Sequence, residues 1–259
     1  MPTEPITNTL GYYGKVPTQG DFISKGLPRS FIEPWDIWLQ EAIFTSQRQL
    51  GQQWLGYYLT SPIYHFVLSP GICGDSGWLG VVIPSVDKIG RYYPMTISLM
   101  IDASINPFVT LQKQQWFTRL EQLALSCLHE NYSLDVFNQA IEQLQQEPIG
   151  HFVNTPSSMQ KLYSQTYHSA WHLSINGEDR LTGLFASMLD SVLKEQCFAY
   201  SLWLTQGSEV VQPSFLFAEG LPPFEGMAAL FDGNWQQWGW QDNRYPMLRG
   251  SNNGTDTPP

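Results

Sequence analysis

Apolar side chains recur along this chain in two rhythms, and the switch between them marks out its elements. Phe31, Trp35, Trp38, Leu39, Ala42, Ile43 and Leu50 follow the 3.6-residue period of a helix with a broad apolar face. Ser30 with Glu33 forms a capping-box pattern at its start, and Pro34 falls in the first turn, where a missing N–H is harmless. A short helix is expected over Trp54 to Leu59. The period then changes to that of strands. Ile63 to Leu68 is a β-rich run between Pro62 and the Ser69-Pro70-Gly71 turn, and Trp78 to Pro84 is continuously apolar, as in a strand covered on both faces. Within Tyr92 to Ile101, Tyr93, Met95, Ile97, Leu99 and Ile101 alternate with other residues. Ser85 to Gly90 is the turn that joins these last two strands into an antiparallel pair.

The middle third is helical. Asn106 before Pro107 opens a helix whose buried stripe is Trp116, Leu120, Leu123, Ala124, Cys127 and Leu128. Ser133 opens a second, carrying Val136, Phe137, Ala140, Ile141 and Leu144. Glu147 to Ser169 has weak periodicity and reads as a long excursion, and Ala170 to Ile175 alternates like a strand. A helix over Glu178 to Lys194 gathers Leu181, Leu184, Phe185, Met188, Leu189 and Val192 on one face. Strands are expected at Phe198 to Leu204 and Ser214 to Ala218, a closing helix at Phe224 to Phe231, and a loose tail at Ser251 to Pro259.

With strands at both ends and helices between, the pattern predicts an α/β (α+β) fold: a central, largely antiparallel sheet with helices packed on both faces. A one-sided α+β layer is the alternative. No internal repeat or low-complexity linker interrupts the chain. One globular domain is therefore expected over residues 1–250, with 1–105 rich in motifs, 106–195 mainly helical and 196–250 supplying the closing strands and helix.

Composition sharpens this picture. The 259 residues include 10 Trp, 12 Tyr and 14 Phe, enough large rings for a well-packed core. Only 14% of residues are charged, against about 25% in average domains, which leaves room for a thick core or an apolar contact patch. Thirteen basic against 23 acidic residues give a net charge of −10, and the densest basic grouping is Lys88 with Arg91. Such a field repels phosphate backbones and anionic lipid, so neither nucleic acid nor a membrane surface is an expected partner. Three widely spaced cysteines do not make a disulfide framework. The N-terminus lacks the features of a signal peptide, and no apolar run approaches the roughly 20 residues of a membrane span. A soluble, cytoplasmic protein is expected, in which Asn131-Tyr-Ser and Asn253-Gly-Thr are chance sequons.

Candidate chemistry is sparse. Gly74-Asp75-Ser76-Gly77 matches a serine-protease nucleophile segment, but the only preceding histidine is His65, eleven residues before Ser76, and no barrel fits in that space, so a Gly-rich turn is expected. His168 and His172 have the spacing of a helical zinc pair but lack the following Glu, in a segment that reads as strand. Gly11, Gly14 and Gly20 are too irregular for a dinucleotide fingerprint. No spacing singles out a carboxylate pair. Neither an enzyme, a metal, a cofactor nor a small-molecule ligand is therefore expected. What stands out is a set of charges in turn-rich, otherwise apolar sequence: Lys15, Asp21, Lys25 and Arg29 before the first helix, Asp36 within it, and Asp87, Lys88 and Arg91 in the hairpin turn. They read either as an ion-pair network pinning the N-terminal segment to the hairpin or as the polar rim of a docking surface. Because exposed pairs contribute only about 0–1 kcal/mol each, a network kept for stability should be partly buried.

Several segments, taken in order, carry a family resemblance. They are Gly11-Tyr-Tyr-Gly-Lys-Val-Pro-Thr-Gln-Gly-Asp-Phe22, Leu27-Pro-Arg-Ser-Phe31, Trp35-Asp-Ile-Trp-Leu39, Ser69-Pro-Gly-Ile-Cys-Gly74 and Pro84-Ser-Val-Asp-Lys-Ile-Gly-Arg-Tyr-Tyr-Pro94. Ser201-Leu-Trp203, Gly220-Leu-Pro222 and Phe231-Asp-Gly-Asn-Trp235 continue the pattern near the end. The chain resembles the TagF (ImpM) family of type VI secretion-associated proteins, densely over its first hundred residues and sparsely over 198–235. Lys88 stands where the family commonly has Arg, and Tyr93 where it has Phe. The resemblance implies a cytosolic accessory factor of a Gram-negative secretion apparatus that represses secretion post-translationally by sequestering the forkhead-associated scaffold protein (Fha). A positive assembly component is the alternative, and a hydrolase using Ser76 or a carboxylate pair a remote one.

Overall fold

Among the described residues seven strands form one sheet in which every pair is antiparallel, in the spatial order Ile23–Lys25, Leu10–Gly14, Met95–Ile101, Gly77–Ile83, Tyr64–Leu68, Tyr200–Thr205 and Ser214–Glu219. The computed structural model describes residues 9–147 and 179–241. Within these, β1 (Leu10–Gly14) and β2 (Ile23–Lys25) precede α1 (Arg29–Leu50) and α2 (Trp54–Leu59). Next come β3 (Tyr64–Leu68), β4 (Gly77–Ile83) and β5 (Met95–Ile101), then α3 (Pro107–Leu111), α4 (Gln114–Ser126) and α5 (Leu134–Gln146). The chain closes with α6 (Asp179–Gln196), β6 (Tyr200–Thr205), β7 (Ser214–Glu219) and the short α7 (Ala229–Asp232). Among the described residues no helix is long and apolar enough to cross a membrane.

The continuous apolar run of β4 is explained by cover on both faces. On one side Leu79, Val81 and Ile83 pack with β5 residues Ile97, Leu99 and Ile101 against Trp116, Phe117 and Leu120 of α4 and Phe137 and Ile141 of α5. On the other, Phe31, Trp35, Trp38 and Leu39 of α1 meet Phe66, Trp78 and Trp203. Trp35, Trp78 and Trp203 are fully buried, each removing on the order of 150–250 Å² of ring surface from water, about 4–6 kcal/mol gross. Their indole N–H groups are all paired: Trp35 donates to Thr96 Oγ1 at 3.0 Å, Trp78 to the Cys73 carbonyl at 3.1 Å and Trp203 to Ser201 Oγ at 2.9 Å. Three rings that both fill volume and satisfy their polar edge fix one arrangement of α1 on the sheet.

The two-sided arrangement agrees with the sequence pattern, and so do α2 and the β4–β5 hairpin. Elsewhere the structure differs. Residues 10–14 and 23–25, for which the pattern predicts no strand, are strands, because β1 finds β5 as a partner in a register from Leu10↔Leu99 to Tyr13↔Thr96. Helix α1 starts one residue before Ser30, so the capping box does not form. Pro28 is the N-cap, and its carbonyl accepts from the N–H groups of Phe31 and Ile32, both at 3.0 Å. Asn106 does cap its helix, accepting from Phe108 and Val109, but that helix ends after one turn and α4 starts afresh beyond Lys113. The closing helix is likewise a single 3-10 turn followed by α7. The excursion after Glu147, the strand over Ala170 to Ile175, the histidines 168 and 172 and the tail from Ser251 all lie outside the described residues.

Helix α6 reverses its expected orientation. Phe185, Met188 and Leu189 are 60%, 38% and 46% exposed, whereas Ala186, Ser187, Asp190 and Ser191 are buried. Small side chains let α6 approach α3 closely, where Asn106 Nδ2 donates to the Ala186 carbonyl at 3.1 Å. Asp190 is stabilised inside by the hydroxyl of Tyr200 at 2.6 Å and by Lys194 at 2.9 Å. A satisfied polar network thus takes the core position that the apolar stripe would otherwise occupy.

Candidate functional site

The residues between β4 and β5 make a tight loop whose centre is a buried carboxylate. Tyr58 of α2 holds its base: the Tyr58 hydroxyl donates to the Ser85 carbonyl at 2.8 Å and accepts from the Ser85 N–H at 3.1 Å. Asp87, whose side chain is wholly buried, then collects four donors. Oδ1 accepts from the N–H groups of Ile89 (3.0 Å) and Arg91 (2.8 Å), while Oδ2 accepts from Lys15 Nζ (2.9 Å) and Arg91 Nε (2.6 Å). Burial acts to raise the pKa of this carboxyl, but the Arg91 N–H, Lys15, the Arg91 guanidinium and the Ile89 N–H outweigh it. Asp87 is held well below the usual carboxylate range.

Strand β1 delivers Lys15 to that carboxylate. Gly14 ends the strand at a φ of +149°, pressed so closely on Pro94 and Met95 that a Cβ would collide with the Pro94 carbonyl. The turn after Val16 crosses the hairpin tip, where the Lys88 N–H donates to the Gln19 carbonyl at 2.9 Å and the Arg91 guanidinium donates to the Gly20 carbonyl. Arg91 also lies 3.8 Å from Asp21, an exposed pair that adds little.

A second carboxylate sits beneath an aromatic cluster. Asp36 Oδ1 accepts from the hydroxyls of Tyr13 (2.9 Å) and Tyr93 (2.6 Å), and Oδ2 from Gln40 (2.7 Å). Burial and then this carboxylate push both phenols upward, so they remain protonated donors. Phe22 stacks on Tyr13 with centroids 5.2 Å apart, meets Tyr93 edge-on at 4.7 Å and lies under the Lys15 ammonium at 5.0 Å. Phe22 therefore bridges the two anchored carboxylates.

Of the residues selected from sequence, Lys15, Asp21, Asp87 and Arg91 come together, with the backbone of Lys88. Asp36 belongs to the neighbouring tyrosine cluster. Lys25 pairs at the surface with Glu142 of α5 at 2.8 Å, and Arg29 begins α1 without an ion pair among the described residues. Sequence reasoning missed Phe22, Ile89, Tyr13, Tyr58 and Tyr93. Only Ile89 had a visible signal, an apolar residue at the centre of a charged turn. It is 70% exposed, and Phe22 is 42% exposed.

Residues 11–144 match the family model of the TagF N-terminal domain, described as type VI secretion system-associated. The chain belongs to the TagF family. Every side chain of both anchored clusters lies within that stretch. Among solved structures it is similar to PA0076 from Pseudomonas aeruginosa PAO1, determined at 2.05 Å: identity is 31%, 93% of this chain and 99% of that one are covered, and the TM-score is 0.71. No curated protein matches. The family model ends before α6, β6 and β7, so Trp203, stacked on Trp35 at 6.1 Å, is a contribution from beyond the TagF N-terminal domain.

The Asp87 loop presents a surface. Its exposed parts are Asp21, Phe22, Lys88, Ile89 and the guanidinium of Arg91, while the acceptors beneath them are already bonded. Ser76 lies in the turn between β3 and β4, whereas the His65 imidazole is bonded on the other face of the sheet to Glu121 at 2.5 Å. Among the described residues no three His, Cys, Asp or Glu side chains are grouped to hold a metal. An open hollow of about 720 Å³ between α4 and α5 is lined by Arg119, Ser126, His129, Tyr132 and Glu147, none of them in the Asp87 or Asp36 clusters.

Proposed function

We propose that this chain restrains type VI secretion after translation by binding a partner protein in the cytoplasm, that the partner is the forkhead-associated scaffold, and that no catalysis is involved. The observation that carries this reading is the Ile89 tip, apolar and exposed, held by an internally bonded carboxylate inside the stretch that matches TagF. Burying an ion pair is costly unless its polar groups are met, and here both carboxylate oxygens of Asp87 accept two hydrogen bonds each in a loop that does not close the core. A loop fixed in this way loses little conformational freedom on binding. Phe22 and Ile89 supply apolar contact, and Lys88, Arg91 and Asp21 supply a charged rim.

Co-purification from the native host tests the partner, and deletion tests the direction of the effect. Deletion is expected to release secretion and to change where the scaffold accumulates. Abolished secretion would identify a positive assembly component instead, and unchanged secretion with unchanged scaffold placement would overturn both. Ser76→Ala is expected to retain full function.

A further inference from the structure

The two edges of the sheet are built differently. At one end β2 is three residues long and carries Lys25, ion-paired to Glu142. A short, charged edge strand of this kind discourages pairing. At the other end β7 runs six residues in unbroken register with β6, has no bulge, Lys or Pro within it, and exposes Phe215 (53%) and Phe217 (39%).

Two hydrogen bonds fix which backbone groups of β7 face outward. The Ser69 N–H donates to the Tyr200 carbonyl, so Tyr200 and, by alternation, Leu202 and Leu204 serve β3. The Gly220 N–H donates to the Ala199 carbonyl, so Ser201, Trp203 and Thr205 serve β7. Their partners are Ala218, Leu216 and Ser214. The N–H and C=O groups of Phe215, Phe217 and Glu219 therefore point away from the sheet, and no backbone bond to them is found among the described residues. Phe215 and Phe217 lie on the same face as Tyr200 and Leu202, with the Phe217 ring 5.9 Å from that of Tyr200.

We propose that this edge pairs with the same edge of a second copy across a twofold axis, continuing the sheet from one molecule into the next. One antiparallel register satisfies every constraint. Placing Phe215 opposite Phe217 of the second copy aligns outward-facing groups on both strands, forms about four backbone bonds and makes two aromatic cross-strand pairs. Leu216 then faces itself on the axis, Ser214 faces Ala218, and Glu219 faces Pro213, so no carboxylate meets another. Sliding one strand to oppose Phe217 with Phe217 sets Phe215 against Glu219, and sliding it the other way sets Phe217 against Pro213, which has no N–H to give. The contact is small beside the roughly 800 Å² per partner of standard interfaces, which places it in the weak class.

Sedimentation velocity on the full chain, from about 5 µM to about 500 µM, is the test. The mean sedimentation coefficient is expected to rise from monomer towards dimer, and Phe217→Lys to weaken the association at least about tenfold while leaving the melting temperature unchanged. As an independent readout, Leu216→Cys in a Cys197→Ser background is expected to form an intermolecular disulfide under mild oxidation, while Ser214→Cys does not, because only position 216 meets itself across a non-hydrogen-bonded pair. This readout also decides the matter should Phe217→Lys fail to fold. A single monomer boundary at every concentration overturns the proposal. So does a dimer indifferent to Phe217→Lys, or slow amide exchange at Phe215 and Phe217 that is independent of concentration, which would mean that the edge is covered within one chain.

Discussion

Lys15 Nζ lies 2.9 Å from Asp87 Oδ2, with side-chain exposures of 7% and 0%. The pair joins strand β1 to the hairpin loop. Removing one member of a buried pair leaves the other uncompensated, at a cost of about 3–5 kcal/mol. Asp87→Asn is expected to lose that much in urea unfolding, and the added change Lys15→Met to recover part of it. Because the Asp87 carboxyl is depressed in the folded protein, its contribution is present above about pH 4 and is lost as acid protonates it. A loss below about 1 kcal/mol for Asp87→Asn would mean that water compensates the freed Lys15 and Arg91 charges.

At the tip of the same loop, stability and binding should separate. Ile89 is mostly exposed and its side chain takes no part in the core, so Ile89→Asp is expected to change unfolding by less than about 0.5 kcal/mol. Capture of the scaffold protein is expected to fall at least about tenfold, as when an interface anchor is removed. Phe22→Ala should behave similarly, with a small stability loss from its stacking on Tyr13. Undiminished capture by both variants would move the binding surface elsewhere.

His65 predicts a pH dependence on the opposite face. It stacks on Phe117 at 4.5 Å, bonds Glu121 through Nε2, and leaves a buried Nδ1 with no partner among the described residues. Burial lowers its basicity, outweighing Glu121, which acts to raise it. The unfolded chain therefore takes up the proton first, so stability is full above about pH 6.5 and declines as pH falls below it. Unfolding free energies between pH 5 and pH 8 should show this decline for the native sequence and a flatter profile for His65→Leu. Parallel profiles would assign the slope to other groups.

Thiol labelling should distinguish the three cysteines. Cys73 and Cys127 are buried, and burial pushes each thiol up to about 12, so neither presents a thiolate near neutrality. Cys197 is partly exposed. One thiol per chain is expected to react with an aromatic disulfide reagent in buffer, and three after denaturation. Two fast-reacting thiols in buffer would show that one of the buried sites opens.

The strands and helices that depend on their own residue pattern were legible; those that depend on a distant partner were not. Val81 and its neighbours announced a doubly covered strand because two-sided burial leaves an uninterrupted apolar run. By contrast, β1 reads Leu-Gly-Tyr-Tyr-Gly, and its glycines argue against a strand until β5 is beside it. Helix α6 misled for a different reason. Periodicity identifies its apolar face but not which side is buried, and the Asp190–Tyr200 bond decided that. At the site, charge in a poor background identified Lys15, Asp87 and Arg91, because few residues compete for attention there. Phe22 and the tyrosines were invisible for the converse reason, since aromatics are common throughout this chain.

The strand order also governs how the protein is made. β3 finds β4 within a few residues, but its other neighbour, β6, begins at Tyr200. At ribosomal speeds of roughly 5–20 residues per second, the β3 edge emerges and waits on the order of 7–26 s for its partner. Through that interval Trp35 and Phe66 also lack the Trp203 ring that closes their cluster. Nascent chains halted near residue 147 should accordingly be sticky and rich in chaperone, and should lose that character once translation passes Glu219.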